Sequence, residues 1–305
     1  MNRKQVKISM LFFTALVVAI MFAGCKSRGG RAHKEELPVN MPKNLEVFDD
    51  IRKAERIFNA LPSPFESAML IKSAGAKFDV SLLNPVSNVN KYVSNKSMAL
   101  NLGIYTCDLS FASMYEQTQL IIDYMNSAKK LADGLGILNA IDQSTINRLE
   151  ENINNSEMIM EIVSETFMNS SAYLEDNGQP AIAAMTLVGG WFEGFYISTQ
   201  LVDMNDFAGS KIVGRIVDQK LSVDILINLL EGNKGDPAID ELITQAQKLK
   251  TVFDKINITS SPIRPEFDAS SNSTILKSEV TTNITPEIFK ELASIVGEIR
   301  NSFIK

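Results

Sequence analysis

Ser127 and Lys130, one helical turn apart, form one of the few pairings in this 305-residue chain that would activate a nucleophile. The lysine would take the serine proton. The other chemistry open to the sequence is a pair of carboxylates, as glycoside cleavage requires. Glu116, Asp123, Glu161, Glu165 and Glu193 all stand on predicted helices, and no spacing joins any two of them into such a pair. Imidazole chemistry is closed. The single histidine, His33, falls in a polar stretch ahead of the predicted domain. A histidine-free domain has no Ser-His-Asp or Cys-His base, no His-ligated haem and few routes to a zinc hydrolase site. HExxH, CxxC, the Walker A loop and GxGxxG are all absent. No metal and no cofactor is expected, and no catalytic residue is assigned.

The Ser127-Ala128-Lys129-Lys130 run resembles the Ser-x-x-Lys motif of penicillin-binding proteins. Those enzymes also need Ser-Asp-Asn and Lys-Thr-Gly elements, and the chain has neither. The run therefore reads as an exposed helical face. Glu193 is the most unusual acid, because it sits inside Gly189-Gly190-Trp191-Phe192-Glu193-Gly194-Phe195-Tyr196. Each glycine inside a helix costs about 1 kcal/mol relative to alanine, so something must offset three of them. Gly190 and Gly194 share one face at i, i+4. Two readings stand side by side: close helix packing around the chain's only tryptophan, or space beside an aromatic wall for a ligand or partner. Trp191, Glu193 and Tyr196 would form that surface, with Tyr105, Phe111 and Tyr115 as its opposite wall.

The first 25 residues speak of location. Arg3, Lys4 and Lys7 precede an uncharged run from Met10 to Phe22, followed by Ala23-Gly24-Cys25. The run is short for a membrane span and has the length of a signal-peptide core. Small residues ahead of a cysteine resemble the lipobox of bacterial lipoproteins, with Phe22 where that family usually has leucine. The resemblance implies cleavage after Gly24 and lipidation of Cys25, so that the lipid bilayer is a partner through the acylated cysteine. One acyl chain holds a protein only marginally, whereas several hold firmly. Cys107 is then the one remaining cysteine, in the apolar stretch LGIYTCDLSF, and reads as a buried inert thiol with Asp108 beside it.

Removing residues 1–24 leaves 281 residues, enough for a large core. It removes three of the 30 basic residues and none of the 36 acidic ones, for a net charge of −9. Phosphate backbones repel such a chain, so nucleic acid is not an expected partner. Residues 25–45 read as the lipidated cysteine and a flexible tether rich in glycine, proline and charge. Some Bacteroidetes lipoproteins, which this start resembles, carry an acidic cluster after the cysteine as a surface-export signal. Lys26-Ser27-Arg28-Gly29 has none, which points to an outer-membrane protein facing the periplasm.

Residues 46–305 read as one mainly helical domain, an antiparallel multi-helix bundle or a stack of helical hairpins. Val47 to Leu61 repeats at three and four residues, and Ser63-Pro64-Phe65-Glu66 has the pattern of a capping box. After a loop at 76–86, a long helical region starts near Asn88, divided at Gly103 and Asp108, and ends at Gly134-x-Gly136. Asp142, Ser156, Pro180, Asp206, Asp236-Pro237 and Thr285-Pro286 mark further helix starts, and a break near Asp218 is expected. Residues 258–284 are rich in Ser, Thr and Asn. The alternation in TILKSEVTTNI predicts a small β-hairpin, with residues 263–267 as its other strand, packed on the helices.

The stretches FAGC, PSPFESAMLIKSAGAKF, LNPVSNV and ALNLGIYTCDLSFA resemble helical lipoproteins of this size from Bacteroidetes. The resemblance implies location and a helical fold, and it assigns no activity and no site. Three functions remain in competition. One is a non-catalytic envelope lipoprotein that binds or scaffolds a protein or glycan. Another is a carboxylate-dependent enzyme that cleaves peptidoglycan or another glycan. The last is a small-ligand receptor with a pocket near Trp191. A buried carboxylate pair would favour the second and a deep aromatic pocket the third.

Overall fold

Two helices, α1 (Asn95–Met114) and α5 (Pro180–Gln200), form the centre of the fold. Their sequences explain the position. Apolar and small residues surround almost the whole circumference of each, and a helix without a polar face must be buried. In this computed structural model the described residues are Lys72 and 76–305, apart from 139–140, 142, 263, 269–272 and 278–279. The expected tether, the helix at 47–61 and the capping box at Ser63 lie outside them. The described residues belong to one unit, Glu46–Lys305.

Around the central pair stand α2 (Thr118–Gly134), α3 (Gln143–Glu151), α4 (Ser156–Asp176), α6 (Lys211–Glu231), α7 (Pro237–Phe253) and α8 (Pro286–Phe303). The chain is mainly helical, as its periodicity indicates. Among the described residues no helix is long and apolar enough to cross a bilayer. Short connections make neighbours in sequence into antiparallel hairpins, of which α1–α2 and α6–α7 are the clearest.

Helix ends follow local chemistry. Asp236 accepts a bond from the Ala238 amide with Pro237 behind it, and Thr285 accepts one from Ile288 ahead of Pro286-Glu287. Gly136, Gly178 and Gly235 take positive φ just past helix ends. Several sequence-based boundaries move, among them the helix start expected at Asp206, which lies at Lys211. The break expected at Gly103 and Asp108 is absent: α1 runs through both and stops at Tyr115. There Glu116 adopts φ 58° and the Gln117 amide reaches back to the Ala112 carbonyl. That region starts at Asn95, capped by Ser94, and not at Asn88. Asn155, one residue before Ser156, caps α4. The two helices expected between Asp206 and Gly235 are one, α6, because Asp218 sits on an exposed flank and interrupts nothing.

The β-hairpin is a nested antiparallel ribbon. β1 (Ile258–Ser260) pairs with β4 (Val280–Thr282), and β2 (Arg264–Asp268) pairs with β3 (Ser273–Lys277). Its described side chains do not pack on the helices as expected. All three residues of β1 are exposed, and Phe267 is 63% exposed. The ribbon is held at its base: Asn283 accepts a bond from the Asn257 amide and donates to the Lys255 carbonyl. Thr259 and Thr281 share a hydroxyl bond across the strands.

Candidate functional site

α1 and α5 cross with backbone against backbone. A Cβ on Gly103 would stand 1.9 Å from the Thr186 carbonyl oxygen, and one on Gly189 2.0 Å from that of Leu100. Only glycine permits the approach. This close crossing brings side chains from the two helices together in the interior, and the most consequential are Asp108 on α1 and Glu193 on α5.

Both carboxyls are fully buried, and Arg300 of α8 closes the group. Its Nε donates to one oxygen of Glu193 at 2.8 Å, and a terminal nitrogen donates to the other at 2.7 Å. The same terminal nitrogen donates to the Leu82 carbonyl, and the guanidinium lies 4.6 Å from the centre of the Tyr196 ring. Asp108 has no cation of its own in contact. One oxygen accepts from the Asn84 amide at 3.1 Å, and the other receives no donor. Burial, and then the charge of Glu193, push the Asp108 carboxyl well above the usual carboxylate range. Burial raises Glu193 as well, against the pull of Arg300. Two carboxylates cannot both ionise in one dry site. Asp108 is therefore the carboxyl more readily protonated, and Glu193, gripped by Arg300, the one more readily ionised. Asn84 extends the network to Tyr92 and Asn101, and Asn101 donates to the Phe303 carbonyl.

The sequence-derived surface residues are spread through the fold. Trp191 is 9% exposed, and its ring nitrogen donates to Gln219 on α6. Phe192 packs on Phe303 of α8 and Phe195 on Phe253 of α7, so consecutive aromatics of α5 reach three different helices. Tyr196 covers Arg300. Tyr105 is wholly buried and donates to the Pro85 carbonyl. Tyr115 packs tilted against Phe78 and Phe111 and donates to the Ala76 carbonyl. Each of these rings packs on the interior. Gly194 is not at the crossing either: a Cβ there would meet only the Cys107 sulfur, at an ordinary 3.5 Å.

Ser127 and Lys130 do not meet as base and nucleophile. Ser127 is buried and donates to the Asp123 carbonyl of its own helix, while Lys130 donates to Asn90. The expected exposed face is thus half interior. Cys107 is free and buried, and burial raises its thiol far above the ordinary value.

An opening of a different kind lies between α1, α2, α3, α4 and α5. It is a cavity of about 110 Å³, walled by apolar side chains such as Leu102, Leu109, Met125, Ile137, Phe167 and Leu174. Neither Asp108 nor Glu193 lines it. Asn126, Lys129 and Glu150 are its exposed polar residues. Apart from Ala128 and Lys129 in the Ser-x-x-Lys run, the sequence marks none of these walls, since the apolar residues read as ordinary helix core. Asp108 and Arg300 did leave a signal: each is a charge at a core phase, Asp108 inside an apolar run and Arg300 in step with Leu292 and Val296. Among the described residues no group of three or more His, Cys, Asp or Glu is placed to hold a metal.

No family model, curated protein or solved structure matches this chain.

Proposed function

We propose that the chain is a non-catalytic lipoprotein of the cell envelope that binds a ligand or partner. One observation carries the preference for binding over bond cleavage. The buried carboxylate pair, which favours an enzyme on its face, is sealed from solvent and engaged by Arg300. A glycosidase needs two carboxyls flanking a substrate bond, about 5 Å or more apart with room for a sugar between them. Asp108 and Glu193 are instead buried, Glu193 is taken up by Arg300, and neither lines the cavity. Their chemistry is that of a core network. The envelope location rests on the lipobox and the basic, uncharged and small-residue order of the first 25 residues.

The test is a pair of measurements on the full-length chain. Incubated with purified peptidoglycan sacculi, it is expected to release no soluble fragments. Crosslinking in the intact envelope, followed by mass spectrometry, is expected to recover a recurring partner or ligand. Fragment release that disappears in Glu193→Gln would sink the binding reading in favour of the carboxylate enzyme.

A further inference from the structure

We propose that the cavity between α1, α2, α3, α4 and α5 binds a single alkyl chain with an anionic head group, a ligand of the fatty-acid class. This deepens the binding reading above and rests on it. The walls decide the chemistry of the tail. Three threonines line the space, and each turns its hydroxyl onto its own helix: Thr106 to the Leu102 carbonyl, Thr166 to Ile162 and Thr186 to Ile182. Their hydroxyls are thereby spent within the helices. A glycan or peptide would need several free hydrogen-bonding groups and would leave its own polar atoms unpaired here.

Among the described residues of the lining, one buried polar atom is left over. The Ser170 hydroxyl is buried and has no hydrogen-bond partner. Buried hydroxyls are ordinarily satisfied, so this one marks where a ligand oxygen fits. At the exposed edge, Lys129 pairs with no carboxylate among the described residues. It supplies the positive charge that an anionic head group would meet. Glu150 also lines the cavity and stays in water.

Size sets the chain length. A space of about 110 Å³ holds on the order of ten water-sized groups. A methylene is of similar size, so the cavity accommodates roughly eight to ten carbons. Each methylene buried should tighten binding about fourfold, and the gain should stop once the chain fills the space.

The experiment uses the full-length chain in membranes of cells that produce it. Decanoic acid carrying a terminal diazirine is added, irradiated and mapped by peptide mass spectrometry. Adducts are expected on the cavity-facing peptides of α1 and α4. Unlabelled fatty acids should displace them with strength that rises with chain length and levels off near ten carbons. Ala183→Phe and Ser171→Leu fill the space from α5 and α4, and each should cut labelling by about tenfold. Adducts scattered over the surface, or cavity labelling unchanged in a variant that melts like the parent, overturn the proposal. The competition series needs no variant, so a misfolded substitution leaves the test intact. Labelling by a lysophosphatidylcholine with the same diazirine chain, but not by the free acid, also overturns it. Lipidation of Cys25 is read from the same digests, so loss of the alkyl site and loss of the lipoprotein reading are separate outcomes.

Discussion

At the residue scale the central fact is a buried group of two carboxyls and one guanidinium. Glu193 is the carboxyl that Arg300 grips with two bonds, so Asp108 is the one whose proton is held more tightly. The unfolded Asp108 ionises near its ordinary value of 3.8, while burial and Glu193 hold the folded one well above it. Between those two values the folded state binds the extra proton, so stability contributed by this residue is full below pH 4 and falls as pH rises. Asp108→Asn, a neutral donor of the same shape, removes that penalty. Chemical denaturation across pH 4–7 should show the variant gaining on the parent by up to about 1.4 kcal/mol per pH unit. A constant difference across that range would mean that Asp108 is ionised in the fold. Glu193→Gln acts in the opposite direction. It leaves Arg300 buried without its counter-charge, a loss of about 3–5 kcal/mol that a urea midpoint at pH 7 would register.

At the scale of elements the crossing of α1 and α5 determines where everything else lies. Gly103 and Gly189 let the two backbones touch, and the helix-propensity cost of glycine is offset by that packing. Gly189→Ala should destabilise by at least about 1–3 kcal/mol, since a methyl group would press on a carbonyl that cannot move aside. Gly194→Ala should do the reverse, gaining up to about 1 kcal/mol, because its Cβ meets only a sulfur at contact distance. Thermal unfolding of the two variants separates them by sign. The ribbon is a different kind of element. Its described side chains face water, so its order comes from the ladder and from Asn283 at its base. Asn283→Ala removes both base contacts and should speed amide exchange in β1 and β4 while leaving exchange in α1 unchanged.

At the scale of the whole molecule, the proposed anchoring rests on the acidic balance of the chain and on the basic, uncharged and small-residue order ahead of Cys25, which would hold the protein at a membrane by acylation rather than by charge. Cys25→Ser should abolish fatty-acid labelling and move the protein out of the membrane fraction or leave it unprocessed. Labelling and fractionation identical to the parent would remove the lipoprotein reading, whatever the cavity binds.

The sequence by itself determined the helical class, most helix ends and the position of the ribbon. These are local properties: a period of 3.6 against 2, a capping side chain, a proline at a first turn, a glycine past the last. It also showed which motifs the chain lacks, since a missing motif needs no fold to be missing. Periodicity was weakest where every face of a helix is apolar, and there the expected break in α1 did not occur. Tertiary structure alone decided the rest. It joined Asp108, Glu193 and Arg300 across distances of 85 and 107 residues. It assigned close approach to Gly189 rather than Gly194, and it turned Trp191 and Tyr105 into core. The cavity is the clearest case, because it belongs to no segment: five helices leave it between them, and each wall residue alone reads as ordinary interior. Which faces meet, and what space remains where they do not, depends on contacts between residues far apart in the chain.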